Sequence, residues 1–271
     1  MTHVWLHLLI NRSPSKSIDL SYQHISWKKI LIFWAIFILL STSLIPFSTE
    51  KVQFECITLE QGLSDSTVTC IIQDRSGFMW FGTLDGLNRY DGYNFTVYQK
   101  RLNDPKSLRH NTIWAIHEDS DGDLWIGTWG GGLAKLDKRQ ENFTNFYYHS
   151  ENPNTISDNR INAIFEDRSG IIWVGTEGGL NQFDKKRGSF KRFMHDPKNP
   201  QSLSYNHISS ILEDENGILW IGTKNGGLNR LNRQTGNFYH YRHSPQDPGS
   251  LSNDYVWTLY EDQSGTLWIG T

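Results

Sequence analysis

One feature governs what this chain can fold into: a ten-residue signature that recurs five times at a near-constant interval. Trp80, Trp125, Trp173, Trp220 and Trp268 are separated by 45, 48, 47 and 48 residues. Each is followed, one residue on, by Gly-Thr: Gly82-Thr83, Gly127-Thr128, Gly175-Thr176, Gly222-Thr223 and Gly270-Thr271. Three residues before each Trp stands Gly77, Gly122, Gly170, Gly217 or Gly265, and six before it Asp74, Asp119, Asp167, Asp214 or Asp262. A chain that repeats Asp-x-x-Gly-x-x-Trp-x-Gly-Thr in this way is an array of one supersecondary unit.

Each unit reads as four strands. A short apolar stretch such as Ile208–Glu213 precedes the Asp, and Asp-x-x-Gly is a hairpin turn in which Gly supplies the positive φ. Leu219–Thr223 is the second strand and 227–231 the third. The fourth carries Phe-x-x-aromatic: Phe95/Tyr98, Phe143/Phe146, Phe190/Phe193 and Phe238/Tyr241. Aromatic content of 13% and 23 Gly agree with an all-β chain. Four strands at this period are the arithmetic of a β-propeller blade, so residues 52–271 are expected to form an incomplete ring of about four and a half blades. Phe54-Glu55-Cys56-Ile57 matches the fourth-strand pattern alone and is expected to be the strand that closes the last blade. Because the sequence stops at the second strand of the fifth repeat, the chain is expected to be a fragment of a longer protein.

Residues 73–83 and 85–92, led in by Gln61-Gly62-Leu63-Ser64, resemble the two-component regulator propeller repeat family. That resemblance implies the exported sensor region of a bacterial hybrid two-component system. There, propellers precede a β-sandwich, a membrane helix and intracellular signalling modules, so kinase activity would reside outside this chain.

Residues 1–29 form a basic n-region ending in Lys28-Lys29, and 30–48 form an apolar segment whose first eleven residues, 30–40, are all apolar. This reads as a cleaved signal peptide or as a signal-anchor helix in the inner membrane, with export to the periplasm either way. The rest of the chain holds 22 basic and 28 acidic residues, which gives no electrostatic reason to bind nucleic acid. Cys56 and Cys70 read as small hydrophobes rather than as a disulfide.

No catalytic, metal or cofactor motif is expected. Asp119-x-Asp121-Gly122-Asp123 begins like a calcium loop, but loop position 12 is Gly130, not Glu, and sister blades lack the acids. Glu118, Glu166, Glu213 and Glu261 recur beside the motif Asp and so read as structural. Lys138-Arg139, Lys185-Lys186-Arg187 and Arg233 read as solvated charge on outer hairpins, with a polyanion-binding rim as the alternative.

Slots that stay constant across blades hold the fold, and slots that vary are free for a ligand. Val68, Ile113, Ile161, Ile208 and Val256, six before the Asp, and the Ile or Leu three before it are expected to bury both faces of the first strand. Five before, the residues are Thr69, Trp114, Asn162, Ser209 and Trp257; seven before, Thr67, Thr112, Arg160, His207 and Tyr255. Both slots lie at the start of the inner strand, near one mouth of the central channel. Arg160, His207, Tyr255, Trp114, Trp257 and Asn162 are the candidate ligand contacts, suited to stacking on sugar rings and bonding their hydroxyls. The competing reading has Trp114 and Trp257 filling gaps between blades. The leading function is a non-catalytic periplasmic sensor or scaffold responding to oligosaccharides, passing its signal to downstream modules and to a homodimer partner. The alternatives are an exported propeller enzyme of the lyase type, against which His207 has no evident acidic partner, and a fragment without function of its own.

Overall fold

The computed structural model describes Phe54 and residues 56–271. The basic segment 1–29 and the apolar segment 30–48 lie outside the described residues. Among the described residues no helix is long and apolar enough to cross a membrane.

Apart from one 3-10 turn at Leu59–Gln61, the regular structure is all β. The first blade contains β1 (Val68–Gln73), β2 (Met79–Thr83), β3 (Gly86–Tyr90) and β4 (Phe95–Tyr98). The second contains β5 (Ile113–Glu118), β6 (Leu124–Thr128), β7 (Leu133–Asp137) and β8 (Asn142–Phe146). The third contains β9 (Ile161–Glu166), β10 (Ile172–Thr176), β11 (Leu180–Asp184) and β12 (Ser189–Phe193). The fourth contains β13 (Ile208–Glu213), β14 (Leu219–Thr223), β15 (Leu228–Leu231) and β16 (Phe238–Tyr241), and β17 (Thr258–Glu261) pairs with β18 (Leu267–Gly270). Every sheet is antiparallel and runs in chain order. The first strands β1, β5, β9, β13 and β17 neighbour one another in succession, which makes them the inner strands on which the blades converge.

The signature residues explain this packing. Each Asp accepts two backbone N–H groups on Oδ1, as Asp74 does from Ser76 and Phe78, which closes the first hairpin. Its Oδ2 accepts the indole N–H of the Trp six residues on, at 2.7–2.9 Å in all five repeats. Gly77 turns the hairpin at φ 90°. The Gly after the Trp is needed for another reason. A Cβ on Gly127 would stand 2.6 Å from Ile161 Cγ2, and one on Gly175 2.6 Å from Ile208 Cγ2. In repeats two to five the Ile or Val six residues before the motif Asp therefore seats directly on the Gly of the preceding blade. Around that contact Trp80 packs with Ile113, and Trp173 with Ile208 and Leu219, so each apolar core is a seam between two blades.

A charged clamp rims each seam. Glu118 Oε2 accepts the Arg75 N–H of the previous blade at 2.8 Å, and Glu166, Glu213 and Glu261 do the same for Ser120, Arg168 and Glu215. Lys138 bridges Asp74 and Glu118 at 3.0 and 2.6 Å. Lys185 likewise bridges Asp119 and Glu166, and Arg233 bridges Asp167 and Glu213. These three cations are thus not the solvated edge charge expected from sequence. Because the hairpin before the fourth strand leans on the preceding blade, their heads land on carboxylates that are buried or nearly so. Burial pushes the Asp74 carboxyl up, but the Trp80 indole and Lys138 more than reverse this, holding it below the usual carboxylate range. Asp119 is held low in the same way by Trp125 and Lys185.

Three further expectations are corrected. Cys56 and Ile57 belong to no strand, because each described third strand already pairs with its own fourth. Cys56 is exposed, whereas Cys70 lies under Gly82 with its thiol pushed up to about 11 by burial. The burial expected on both faces of the first strand holds in blades two to four but not in blade one. Ile113, Ile161 and Ile208 are wholly buried, Ile116 is buried, and Ile164 and Ile211 pack half-buried on the cores, while Val68 and Ile71, with no described blade before them, are exposed.

Candidate functional site

The varied slots form an arc along the start of the inner strands, and each blade adds one residue that the sequence reading did not track. This is the residue after Gly-Thr: Leu84, Trp129, Glu177 and Lys224. Its backbone N–H donates to the residue seven before the motif Asp in its own blade, as Trp129 does to Thr112 O, Glu177 to Arg160 O and Lys224 to His207 O. It also meets the same slot of the following blade. Thr112 Oγ1 donates to Leu84 O, Trp129 forms a bridge with Arg160, and Lys224 Nζ stands 5.5 Å from the Tyr255 ring centre. Every seam therefore carries one variable pair at this end.

At the centre of the arc is an ion network. The Arg160 guanidinium donates to Asp158 through Nε and Nη2 at 3.1 Å each and pairs with Glu177 through Nη1. His207 Nδ1 lies 3.6 Å from Glu177 Oε1. His207 thus has an acidic partner, contrary to the sequence expectation. Glu177 was missed because it lies in a different repeat and a different slot, though that slot is as variable as the one tracked. Burial is the main cause that holds the imidazole below its usual range; Glu177 opposes it, while Lys224 and Arg160 reinforce it. Asp158 in turn keeps the guanidinium firmly charged. The network presents fixed donors and acceptors, and its carboxylate is already engaged by Arg160.

Aromatic ledges flank the network. Trp114 and Trp129 lie with ring centres 5.3 Å apart, and Tyr255 and Trp257 at 4.2 Å. Trp114, with described blades on both sides, is 43% exposed and so does not fill a gap between blades; Trp257 is 63% exposed in the two-stranded fifth sheet, where the signature Trp268 is exposed as well. The slot they occupy has another use in the other blades. Thr69 Oγ1 donates to Ile113 O at 2.7 Å, Asn162 Nδ2 to Ile208 O at 2.8 Å, and Ser209 Oγ to Val256 O. Each stitches its inner strand to the next. Asn162 thus has its amide nitrogen engaged at a seam, while Arg160, His207, Tyr255, Trp114 and Trp257 line the arc.

The acid-rich turn of blade two holds its charges internally. Asp119 serves the turn, the indole and Lys185, and Asp123 pairs with Lys135. Among the described residues no group of three or more His, Cys, Asp or Glu side chains is placed to hold a metal ion.

Comparison with known proteins agrees with this architecture. The two component regulator propeller family matches residues 62–85, 107–130, 155–178, 202–225 and 250–271, one match per repeat. Histidine kinase P4 of Formosa agariphila is 44% identical over 55 residues, covering 20% of this chain and 4% of that protein. The extracellular domain of a hybrid two component system from B. thetaiotaomicron superposes with a TM-score of 0.54 at 23% identity, over 80% of this chain and 40% of that one. Virginiamycin B lyase from Staphylococcus aureus gives 0.54 at 16% identity, over 77% of this chain and 64% of its own, which shows a shared fold alone. The chain thus spans well under half the length of the sensor proteins it matches. With the signature in all five repeats and a family match on each, the chain belongs to the two component regulator propeller family.

Proposed function

We propose that this propeller is the ligand-sensing part of a periplasmic two-component sensor and that it binds an oligosaccharide along the arc from Trp114 to Trp257. The observation that carries the reading is the exchange made in blade two. There an inter-blade hydrogen bond of the kind made by Thr69, Asn162 and Ser209 gives way to the exposed indole of Trp114. Stability alone favours the small donor, so that indole serves something outside the fold. Flat apolar rings beside a saturated network of carboxylates and guanidinium suit pyranose faces and hydroxyls. Because each rim pair spans a seam, a saccharide lying across several pairs favours one setting of the blades over another. That preference is what a relay to membrane-bound modules needs.

Calorimetric titration of the protein with a panel of oligosaccharides tests this. Trp114→Ala and Tyr255→Ala should each weaken binding about tenfold or more, matching ~1.4 kcal/mol per decade, with little change in the melting temperature. Binding that is unaltered in both variants would move the site elsewhere.

A further inference from the structure

A second site lies on the outer side of blade three, away from the arc. An open cleft of about 900 Å³ follows the hairpin between β11 and β12. Residues 184–194 of that hairpin carry five basic side chains and one acid, Asp184. The equivalent segments of the other blades serve as an internal control. Residues 91–99 carry only Asp91, residues 137–147 balance two bases with two acids, and residues 232–242 hold two Arg. A net of four positive charges is thus confined to one hairpin of an otherwise acidic body.

Two of the five cations are structural. Lys185 clamps the seam to blade two. Arg192 donates to the carbonyls of Thr155 and Asn152 through Nε and Nη2, fixing the loop before blade three. Its counterparts Asn145 and His240 bond the equivalent loops, so that position is architectural in every blade that has it. Lys186, Arg187 and Lys191 remain. All three are exposed and line the cleft. Among the described residues Lys186 makes no ion pair, Arg187 only a loose one to Asp184 at 3.8 Å, and Lys191 only a cation–π contact with Phe193 at 4.7 Å. Neither the turn nor the seam uses them.

We infer that this cleft binds a linear polyanion, a polysaccharide bearing carboxylate or sulfate groups, with Lys186, Arg187 and Lys191 as the contacting cations. An acidic protein fits less well. A stable protein interface needs about 800 Å² on each side, and the basic surface is a single hairpin. A thin chain with regularly spaced charges needs only a row of cations in an open groove, which is what the hairpin supplies. Gln182 and Asn154, also on the cleft wall, add amide donors for sugar hydroxyls. This site stands whether or not the arc binds a neutral saccharide.

The test is a titration of the protein with dextran sulfate, polygalacturonate and neutral dextran of matched length at two salt concentrations. One of the two polyanions should bind and the neutral chain should not. Tighter binding of dextran sulfate assigns sulfate, and tighter binding of polygalacturonate assigns carboxylate. Affinity should fall roughly tenfold between low and high salt, as expected for exposed charges. The triple variant Lys186→Glu, Arg187→Glu, Lys191→Glu should lose binding and keep the melting temperature. Arg139→Glu, on the matching hairpin of blade two, should bind like the parent. Equal binding of neutral dextran would overturn the inference, as would an unaffected triple variant. Capture by anionic lipid vesicles without any binding of the soluble polyanions would also overturn it, in favour of a membrane-facing patch.

Discussion

Lys138 Nζ lies 3.0 Å from Asp74 Oδ2, though 64 residues and a blade boundary separate them. Asp74 is fully buried on its side chain, and Lys138 is its one cationic partner among the described residues. Removing that partner leaves a buried carboxylate supported only by the turn and the Trp80 indole. Lys138→Met should therefore destabilise the protein by roughly 2–3 kcal/mol, between the loss of a charged hydrogen bond and the breaking of a fully buried pair. Denaturant unfolding with an unchanged m-value checks it. A loss below the scatter of surface substitutions would show that the clamp is ornamental.

The same carboxylates set an acid limit. Asp74 and Asp119 titrate below the ordinary aspartate range in the folded chain. Their contribution is complete above the unfolded value of about 3.9 and disappears as pH falls through the depressed folded values. Melting temperature should hold steady from neutral pH down to that point and then drop. In Lys138→Met the Asp74 share of the drop should shrink and shift to higher pH.

Placing a methyl on the seam glycine tests the packing without touching charge. Gly127→Ala and Gly175→Ala bring a Cβ against the first inner-strand Ile of the next blade, and that Ile is held by the strand backbone. Each should cost about 1–3 kcal/mol through overpacking. The companion variant Ile161→Ala, combined with Gly127→Ala, should cost less than the two single changes together, which a double-mutant cycle would read directly.

Trp114→Thr inverts the usual expectation for a tryptophan deletion. Thr69 shows that a hydroxyl in this slot reaches the next inner strand. The new Thr should donate to Ile161 O and raise stability by about 0.5–1 kcal/mol, while saccharide binding at the arc falls. Trp173→Ala, in the signature itself, should instead lose roughly 3–5 kcal/mol. Thermal melts beside calorimetry separate the two; a destabilised Trp114→Thr would return Trp114 to the packing.

His207 reports on the ion network. Arg160 and Lys224 both hold its imidazole down while Glu177 pulls the other way. Arg160→Met and Lys224→Met should each raise the His207 pKa, and Glu177→Gln should lower it further. Imidazole chemical shifts followed through a pH titration give the answer, and an unmoved value in all three would mean the network is not formed in solution.

How far the sequence led differs between the two parts of the molecule. Asp, Gly, Trp and Thr are fixed within one repeat, so their spacing alone placed the hairpins and strands β13, β14 and β16. The partners that matter across a seam are not fixed that way. Lys138 meets Asp74 and His207 meets Glu177 only because neighbouring blades bring different slots of different repeats together. The seam bond of Asn162 escaped the sequence for a related reason. Comparing one slot down the repeats shows that it varies, but not that Thr, Asn and Ser there can all perform one job: donating to the next inner strand.

The seam chemistry has a consequence for how such arrays grow. The four described seams each join a socket, the Gly and Asp of one repeat, to a plug from the next: the Val or Ile six before its Asp, its Glu, and in three blades a Lys or Arg. The contact is therefore head to tail, and a duplicated copy arrives already able to dock on either neighbour. Nothing local in that contact counts copies. Blade number is left to the small angle between successive sheets, so this lineage can gain or lose whole repeats without inventing a new interface.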